Sequence, residues 1–392
     1  MQKSLKTSTL GYRPALDGLR GIAIVCVFVY HVQHFIFLGG PMFGRYLSLG
    51  GGFLGVDIFF VLSGFLITTL LLEEWQWSEN LNLRSFYVRR ALRLLPALFL
   101  FIGSMVVYSS LTLSPEVAKE TTRLALFSIL YSTNWVFALN LSPGSDVLGH
   151  LWSLAVEEQF YLLWPLALNL LLRLRAARWV TISIVFASIA LVLFHRIGLA
   201  RDSPLVGIYS GSDTRADSLL VGCVIAMLTT WRMLPTSRIF KLILGWSGFL
   251  SLLLIAIYLV NAFDVLEKTL YTFGFTAFAI ATGLVLLQIL YSPRRTFLAL
   301  LQHKSLVWLG RVSYSLYLWH FVAITFMLRV SVPNGIRVLL TIPLAFGFAS
   351  FSFYCIERPF LRLKKRYARK ETAERLILLP ISQTAIPDLV LR

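Results

Sequence analysis

Charged residues are scarce in this chain, and acidic residues are scarcer than basic ones. Only 14% of its 392 residues are charged, with 19 Asp and Glu against 36 Lys and Arg. Hydrophobic residues make up 57%, whereas ordinary soluble domains contain roughly 45–50%. This composition excludes an ordinary soluble globular protein and predicts an integral membrane protein.

Cysteine is also scarce. The three cysteines, Cys26, Cys223 and Cys355, each lie within an apolar run, so neither a disulfide framework nor a metal site is expected. Low-complexity segments and clear internal repeats are absent. The first apolar stretch is long and has no small-residue cleavage site after it, so it is expected to remain as a membrane span.

Apolar runs of about 20 residues recur along the chain, separated by short polar connections. Each run is long enough for a helix to cross a hydrocarbon core of ~30 Å. The predicted fold is an all-α integral membrane protein, a bundle of about ten transmembrane helices. The predicted spans cover residues 19–38, 53–73, 94–112, 150–171, 179–198, 215–231, 241–260, 269–290, 307–328 and 337–356.

Most of the 36 basic residues fall in connections on one side of this arrangement. Positive loops face the cytoplasm, so both termini are predicted to be cytoplasmic, and topology accounts for the positive charge without a nucleic-acid partner. Residues 1–11 are then a cytoplasmic segment, residues 12–360 the membrane domain, and residues 361–392 a basic cytoplasmic tail. Residues 122–140 are apolar enough for another span, but an eleventh span would place the basic run 362–370 outside. This segment is therefore predicted to be amphipathic or re-entrant within an external loop.

The first span combines an apolar helix with titratable side chains. Arg20 and His31 are eleven residues apart, which places them on one helix face about 16 Å apart along the axis, and Asp17 lies within the same arc. The imidazole is thus expected near mid-membrane, where a neutral ring can accept a proton. The alternative is a packing histidine that is hydrogen-bonded across the bundle.

The fourth span, HLWSLAVEEQFYLLWPL, carries two adjacent carboxylates. Helical spacing places His150, Glu157 and Tyr161 on one side, with Ser153 close to it. Glu157 is predicted at about the depth of His31, where the two could pair, while Glu158 points about 100° away. The alternative is that the carboxylate pairs with a structural arginine.

Arginines and further polar groups occur in three other segments. FYVRRALRLLPAL places Arg90 and Arg93 on one helix face, and guanidinium groups suit phosphates, although positive-inside topology alone would also supply arginines there. GVDIFFVLSGFLI, DTRADSLLVG and GRVSYSLYLWHF place polar groups inside apolar spans. The arginines predicted to bind an anionic group are Arg20, Arg84, Arg89, Arg90 and Arg93. The predicted cavity-lining residues are Asp17, Asp57, His150, Trp152, Ser153, Tyr161, Arg215, Asp217, Ser313, Tyr317 and His320.

Taken in order, these segments, together with RPALDGLRGIAIVCVFVYH at the start and IERPF at the end, resemble the acyltransferase-3 family of bacterial membrane O-acyltransferases. The resemblance covers about residues 12–360. It implies a ten-helix enzyme of the bacterial inner membrane that moves an acyl group, commonly acetyl from cytoplasmic acetyl-coenzyme A, to a sugar hydroxyl. The family's essential histidine matches His31, its arginine Arg20, its Arg-x-x-Arg pair Arg90 and Arg93, and its Glu-Glu-Gln segment Glu157, Glu158 and Gln159.

The residues and the resemblance together imply an acyl-coenzyme A-dependent O-acyltransferase with catalytic residues His31, Glu157 and Glu158, and with the five arginines above as the residues that bind the acyl donor. No metal and no permanently bound cofactor is expected. His31 is expected to act as a general base or as an acyl carrier, and Glu157 to orient its ring. The expected acceptor is a cell-surface or exported glycan, reached by this chain alone or through a separate extracytoplasmic partner. The alternatives are a small glycosylated metabolite such as a macrolide as acceptor, or a transporter or flippase of a glycan precursor. The sequence does not define an oligomeric state.

Overall fold

The computed structural model describes residues 11–37, 49–142, 147–202, 205–261, 269–291 and 295–363. Within these ranges every regular element is helical and no strand occurs, as predicted. The expected amino-terminal segment, apart from its last residue, and the basic tail beyond residue 363 lie outside the described residues.

Fourteen α-helices are described, and short 3₁₀ or π-helical turns adjoin four of them. The helices are α1 (Pro14–Ile36), α2 (Gly55–Ser78), α3 (Leu83–Thr112), α4 (Pro115–Ile129), α5 (Thr133–Ala138), α6 (Trp152–Arg173), α7 (Arg178–Asp202), α8 (Leu205–Ser210), α9 (Ser212–Thr230), α10 (Arg238–Asn261), α11 (Phe275–Tyr291), α12 (Arg295–Leu301), α13 (Lys304–Leu328) and α14 (Asn334–Phe351). The turns are Gly52–Leu54, Gly149–Leu151, Leu270–Gly274 and Ser352–Glu357.

Seven of the described helical segments are long and apolar enough to cross a membrane. They contain α1, α2, α3, α7, α10, α11 and α14, so this is a multi-pass membrane protein. The other three predicted spans are also helical, as α6, α9 and α13, with 22, 19 and 25 residues. These three helices carry many of the polar side chains predicted to form the site.

Local sequence explains where two of the helices begin. Pro14 occupies the first turn of α1, a position where the missing N–H costs nothing. The side chain of Asn82 accepts a hydrogen bond from the backbone N–H of Ser85 at 3.0 Å and caps α3, the helix that carries Arg90 and Arg93.

Glycines bring two helix pairs into close contact. A Cβ atom at Gly64 of α2 would lie 1.9 Å from the Leu219 carbonyl oxygen, and one at Gly222 of α9 would lie 2.1 Å from the Val61 carbonyl oxygen. Similarly, a Cβ atom at Gly310 of α13 would lie 1.8 Å from the Asp17 carbonyl oxygen of α1. Only glycine allows backbones to approach this closely. Of these four helices, α1, α2 and α13 carry residues that line the site described below.

The segment 122–140 is not one continuous helix. It contains the second half of α4, a break at residues 130–132 where Tyr131 has a φ of 50°, and the six-residue helix α5. Asn134 of α5 donates to the Ser212 hydroxyl at 3.0 Å and accepts from the Gln159 amide at 2.9 Å. These bonds hold α5 against α6 and α9, in keeping with a short segment packed into the bundle.

Candidate active site

A cavity of about 220 Å³ lies among α1, α2, α3, α6 and α13. Its charged lining consists of three arginines and two glutamates, namely Arg20, Arg90, Arg93, Glu157 and Glu158. Six residues that carry hydroxyl groups also line it, namely Ser63, Ser153, Tyr161, Ser313, Tyr314 and Tyr317. We call this space the arginine cavity.

Arg90 bridges the two adjacent glutamates of α6. Its Nη2 atom lies 3.4 Å from Oε1 of Glu157 and 3.4 Å from Oε1 of Glu158. The guanidinium carbon also lies 3.3 Å from the ring centroid of Tyr161. Glu157 accepts two further hydrogen bonds, from the Ser63 hydroxyl at 2.5 Å and from the Tyr161 hydroxyl. The Glu157 carboxylate is therefore committed to Arg90, Ser63 and Tyr161 in this state.

The other two arginines of the cavity, Arg20 and Arg93, differ from Arg90 in their contacts. In the part of the chain that the structure describes, neither Arg20 nor Arg93 has a hydrogen-bond or ion-pair partner. Both are half-buried, and the nearby carboxylate of Glu357, which accepts from the Ser315 hydroxyl at 3.0 Å, is within electrostatic range of both. The arginine cavity thus offers guanidinium groups to an anionic ligand.

A second cavity, of about 190 Å³, surrounds His31. Most of its lining is aromatic, including Tyr30, Phe35, Phe53, Trp152, Tyr209 and Phe321, together with His31, His34 and His150. The rings of Trp152 and Tyr209 lie 4.6 Å apart between centroids. We call this space the histidine cavity.

Three histidine rings cluster beside this cavity. The centroid of His320 lies 5.0 Å from that of His31 and 5.4 Å from that of His150. The His31 Nδ1 atom lies 2.8 Å from the Val27 carbonyl oxygen and 3.3 Å from the His320 Nε2 atom. His150 is only 3% exposed, and neither of its ring nitrogens has a hydrogen-bond partner among the described residues.

The two cavities share a wall. Val56 and Tyr317 line both of them. The Tyr317 hydroxyl lies 2.5 Å from the Ser153 hydroxyl and donates to the His150 carbonyl oxygen at 2.7 Å. Helix α1 contributes Arg20 to one cavity and His31 to the other, about 16 Å apart along the helix axis. The spaces are therefore arranged in succession along α1.

Three of the predicted lining residues occupy buried ion pairs instead of the two cavity walls. Arg215 and Asp57 form an ion pair at 2.8 Å, with the Ser218 hydroxyl 2.9 Å from the same carboxylate. Asp217 forms an ion pair with Arg196 at 2.9 Å. These pairs join α2, α7 and α9 and are 0–1% exposed.

Other predicted residues lie near the polar ends of the helices. Asp17 accepts from the Tyr12 hydroxyl at 2.9 Å, Arg89 lies 3.9 Å from Glu74, and Arg84 is exposed. None of these three side chains lines either cavity.

Sequence reasoning overlooked Tyr209 and Glu357. Tyr209 lies four residues before the segment DTRADSLLVG, and the packing of α8 against α6 brings it beside Trp152. Glu357 belongs to the segment IERPF and is buried against Ser315. Both residues lie in or next to a recognised segment. Closeness to such a segment does not by itself show that a side chain belongs to the site.

The acyltransferase domain family model of the acyltransferase-3 type matches residues 13–357. The chain belongs to this family. The match includes all residues that line the two cavities, so the site described here lies within the family's domain.

Curated relatives cover most of this chain. The peptidoglycan O-acetyltransferase OatA of Listeria monocytogenes is 33% identical over 360 residues, which is 89% of this chain and 56% of that protein. The O-acetyltransferase OatA of Staphylococcus aureus strain MRSA252 is 34% identical over 399 residues, covering 94% of this chain and 62% of the relative. This chain thus spans about three fifths of the length of these relatives. No solved structure matches it.

Proposed function

We propose that this chain is a membrane O-acetyltransferase of the bacterial plasma membrane that carries acetyl groups from cytoplasmic acetyl-coenzyme A to a hydroxyl of a cell-surface glycan. The observation that carries the proposal is the pair of cavities along α1, one rich in guanidinium groups and one built around His31. In this proposal ten helices span the membrane and both termini are cytoplasmic, with the arginine cavity on the basic side.

The donor enters the arginine cavity. Coenzyme A is anionic, and the uncommitted guanidinium groups of Arg20 and Arg93 suit phosphate or a polarised carbonyl. A space of about 220 Å³ holds the acyl thioester and part of the pantetheine arm. The nucleotide end then lies outside, towards the exposed beginning of α3, where Arg84 and Arg89 are located.

The acceptor enters the histidine cavity. Aromatic faces such as those of Trp152 and Tyr209 suit the C–H faces of a sugar ring, while His150 offers ring nitrogens to its hydroxyls. The name of the Listeria relative specifies peptidoglycan, which supports a peptidoglycan strand as the acceptor of this chain also.

The reaction takes place at the wall between the cavities. His31 removes the proton of the acceptor hydroxyl as its oxygen bonds to the thioester carbonyl carbon. The C–S bond then breaks, and coenzyme A leaves as a thiolate that takes up the proton. In this scheme the Ser153 hydroxyl, which lies 2.5 Å from the Tyr317 hydroxyl in this state, turns to donate to the oxyanion. Glu157 holds Arg90 in this scheme and does not orient His31.

The test is to incubate the purified protein in lipid with radiolabelled acetyl-coenzyme A and soluble peptidoglycan fragments. We expect label in the fragments and release of free coenzyme A thiol, and at least a 100-fold loss of both in His31→Gln. His195→Gln is the control, because His195 is exposed and bound to Asp213. A protein that consumes no thioester and labels no fragment would support a transporter instead.

A further inference from the structure

We infer that His320 positions His31 for catalysis, by accepting a hydrogen bond from the His31 Nδ1–H and leaving His31 Nε2 as the atom that receives the acceptor proton. This inference rests on the proposed function, in which His31 is the base. It assigns to His320 the orienting role that helical spacing had suggested for Glu157.

The hydrogen bonds of His320 define which of its nitrogens carries the proton. Its Nδ1 atom lies 2.7 Å from the Tyr317 carbonyl oxygen and 3.1 Å from the Leu316 carbonyl oxygen. Carbonyl oxygens only accept hydrogen bonds, so Nδ1 must carry the hydrogen. In the neutral ring, Nε2 is then an acceptor.

The same reasoning applies to His31. Its Nδ1 atom lies 2.8 Å from the Val27 carbonyl oxygen, so this nitrogen also carries a hydrogen. The second contact of this nitrogen is the acceptor nitrogen of His320, at 3.3 Å. Both contacts therefore require one and the same tautomer of His31, and that tautomer has its lone pair on Nε2.

Packing holds the two rings in this arrangement. His320 is fully buried, and its ring meets Phe28 edge-on at 6.2 Å. The His31 ring lies parallel to Phe35 at 6.2 Å and perpendicular to Phe321 at 5.4 Å. His31 cannot turn freely within this cluster, so its Nε2 keeps one direction.

The arrangement also provides for the charge that develops during the reaction. When the acceptor proton moves to Nε2, the ring becomes an imidazolium and its Nδ1–H becomes a stronger donor. Two acceptors, the Val27 carbonyl and His320 Nε2, already face that hydrogen. This is the role that a carboxylate has in a serine hydrolase triad, but here a neutral imidazole and a carbonyl perform it.

The first test is ¹⁵N solid-state NMR of the wild-type protein with labelled histidines, in lipid. The signals of His31 and His320 are assigned by their loss in His31→Gln and His320→Gln. We expect both rings to be protonated at Nδ1, with a through-hydrogen-bond coupling between His31 Nδ1 and His320 Nε2. A proton on Nε2 of His31, or the absence of that coupling, would overturn the inference.

The second test compares two substitutions of His320. His320→Phe keeps a ring for packing but removes the acceptor, and we expect kcat to fall about 100-fold with KM for acetyl-coenzyme A within about twofold of wild type. His320→Gln retains an acceptor atom and should recover most of that loss. Equal losses in the two variants, or wild-type kcat in His320→Phe, would contradict a positioning role.

Activity of His31→Gln separates the two proposals. If His31→Gln is inactive while His320→Phe is fully active, only the inference about His320 fails. If His31→Gln transfers acetyl at the wild-type rate, the proposed function of His31 fails. Should His320→Phe not fold, the NMR measurement on wild-type protein still decides the inference.

Discussion

Two groups of arginines inside this protein have opposite surroundings. Arg196 and Arg215 are fully buried, and each forms an ion pair with an aspartate, at 2.9 and 2.8 Å. Arg20 and Arg93 are half-buried beside a cavity, and within the described ranges they have no hydrogen-bond or ion-pair partner. Removing a charge from water is costly, and in a paired arginine the aspartate offsets that cost within the fold. Beside a cavity, an arginine without a partner can instead bind an anionic ligand that offsets the cost.

The presence or absence of an ion-pair partner distinguishes structural arginines from candidate functional ones. Residue type alone does not. Both groups lie in predicted spans or beside them. The paired group links α9 to α7 and to α2. The unpaired arginines, Arg20 and Arg93, line the cavity that we assign to the donor. Arg90 lines the same cavity but forms ion pairs with Glu157 and Glu158, so it shares features of both groups.

The largest expected effect is on stability, in the paired group. Arg215→Met leaves the buried carboxylate of Asp57 without its counter-ion, which should reduce the free energy of unfolding by about 3–5 kcal/mol. Thermal unfolding in detergent measures the change. The double variant Asp57→Asn with Arg215→Met should regain most of the lost stability. An unchanged unfolding midpoint in Arg215→Met would show that this buried ion pair does not stabilise the fold.

The next effect concerns the close helix approach on which the Asp57–Arg215 pair depends. In Gly222→Ala the new methyl group would lie 2.1 Å from the Val61 carbonyl oxygen, so α2 and α9 must separate, at a cost of about 1–3 kcal/mol. Gly103→Ala in α3 is the matched control, because no atom lies within 4 Å of its new methyl group. We expect this control to be neutral or stabilised by up to about 1 kcal/mol, and equal destabilisation of both variants would argue against the close approach.

In the unpaired group we expect an effect on binding without an effect on stability. Arg93→Met should weaken acetyl-coenzyme A binding about tenfold, which is about 1.4 kcal/mol, while the unfolding midpoint stays unchanged. Isothermal titration with the intact protein measures the affinity. Arg123→Met on α4, which removes an exposed partner of Glu120, is the control that should bind normally. Normal donor affinity in Arg93→Met would contradict the assignment of the arginine cavity.

The smallest effect should come from the shared wall. Tyr317→Phe removes the hydroxyl that bonds to Ser153 and to the His150 carbonyl, and should cost about 1 kcal/mol of stability. Tyr314→Phe is a matched control, since its hydroxyl donates to the Leu94 carbonyl at 2.9 Å and lines only the arginine cavity. Acetyl-coenzyme A hydrolysis without acceptor should rise in Tyr317→Phe alone, and an equal rise in both variants would show that the wall does not separate the cavities.

Features that depend on local spacing could be predicted from the sequence. All ten predicted spans are helical, because long apolar runs have few other solutions in a membrane. Arg20 and His31 lie on one continuous helix, about 16 Å apart along its axis, as their spacing of eleven residues predicts; that they line different cavities could not be predicted. Arg90 and Arg93 line one cavity because a spacing of three places them on one face.

Features that depend on contacts between helices could not be predicted. The spacing of α6 allowed Glu157 to meet either His31 or an arginine, and only the position of α3 brings Arg90 within 3.4 Å of it. Likewise, Asp57, Arg215 and Asp217 looked suitable for a cavity wall, yet the close approach of α2 and α9 buries them as ion pairs. The proximity of His320 to His31 depends on the packing of α1 against α13.

The most direct test of the two-cavity account is vectorial transfer in proteoliposomes that contain the protein in one orientation. Acetyl-coenzyme A is supplied on the side of the arginine cavity and soluble peptidoglycan fragments on the side of the histidine cavity. We predict acetylated fragments with this arrangement, and none when both reactants are supplied only on the side of the histidine cavity or when His31 is replaced by Gln. Equal transfer from either side, or transfer by His31→Gln at the wild-type rate, would contradict it.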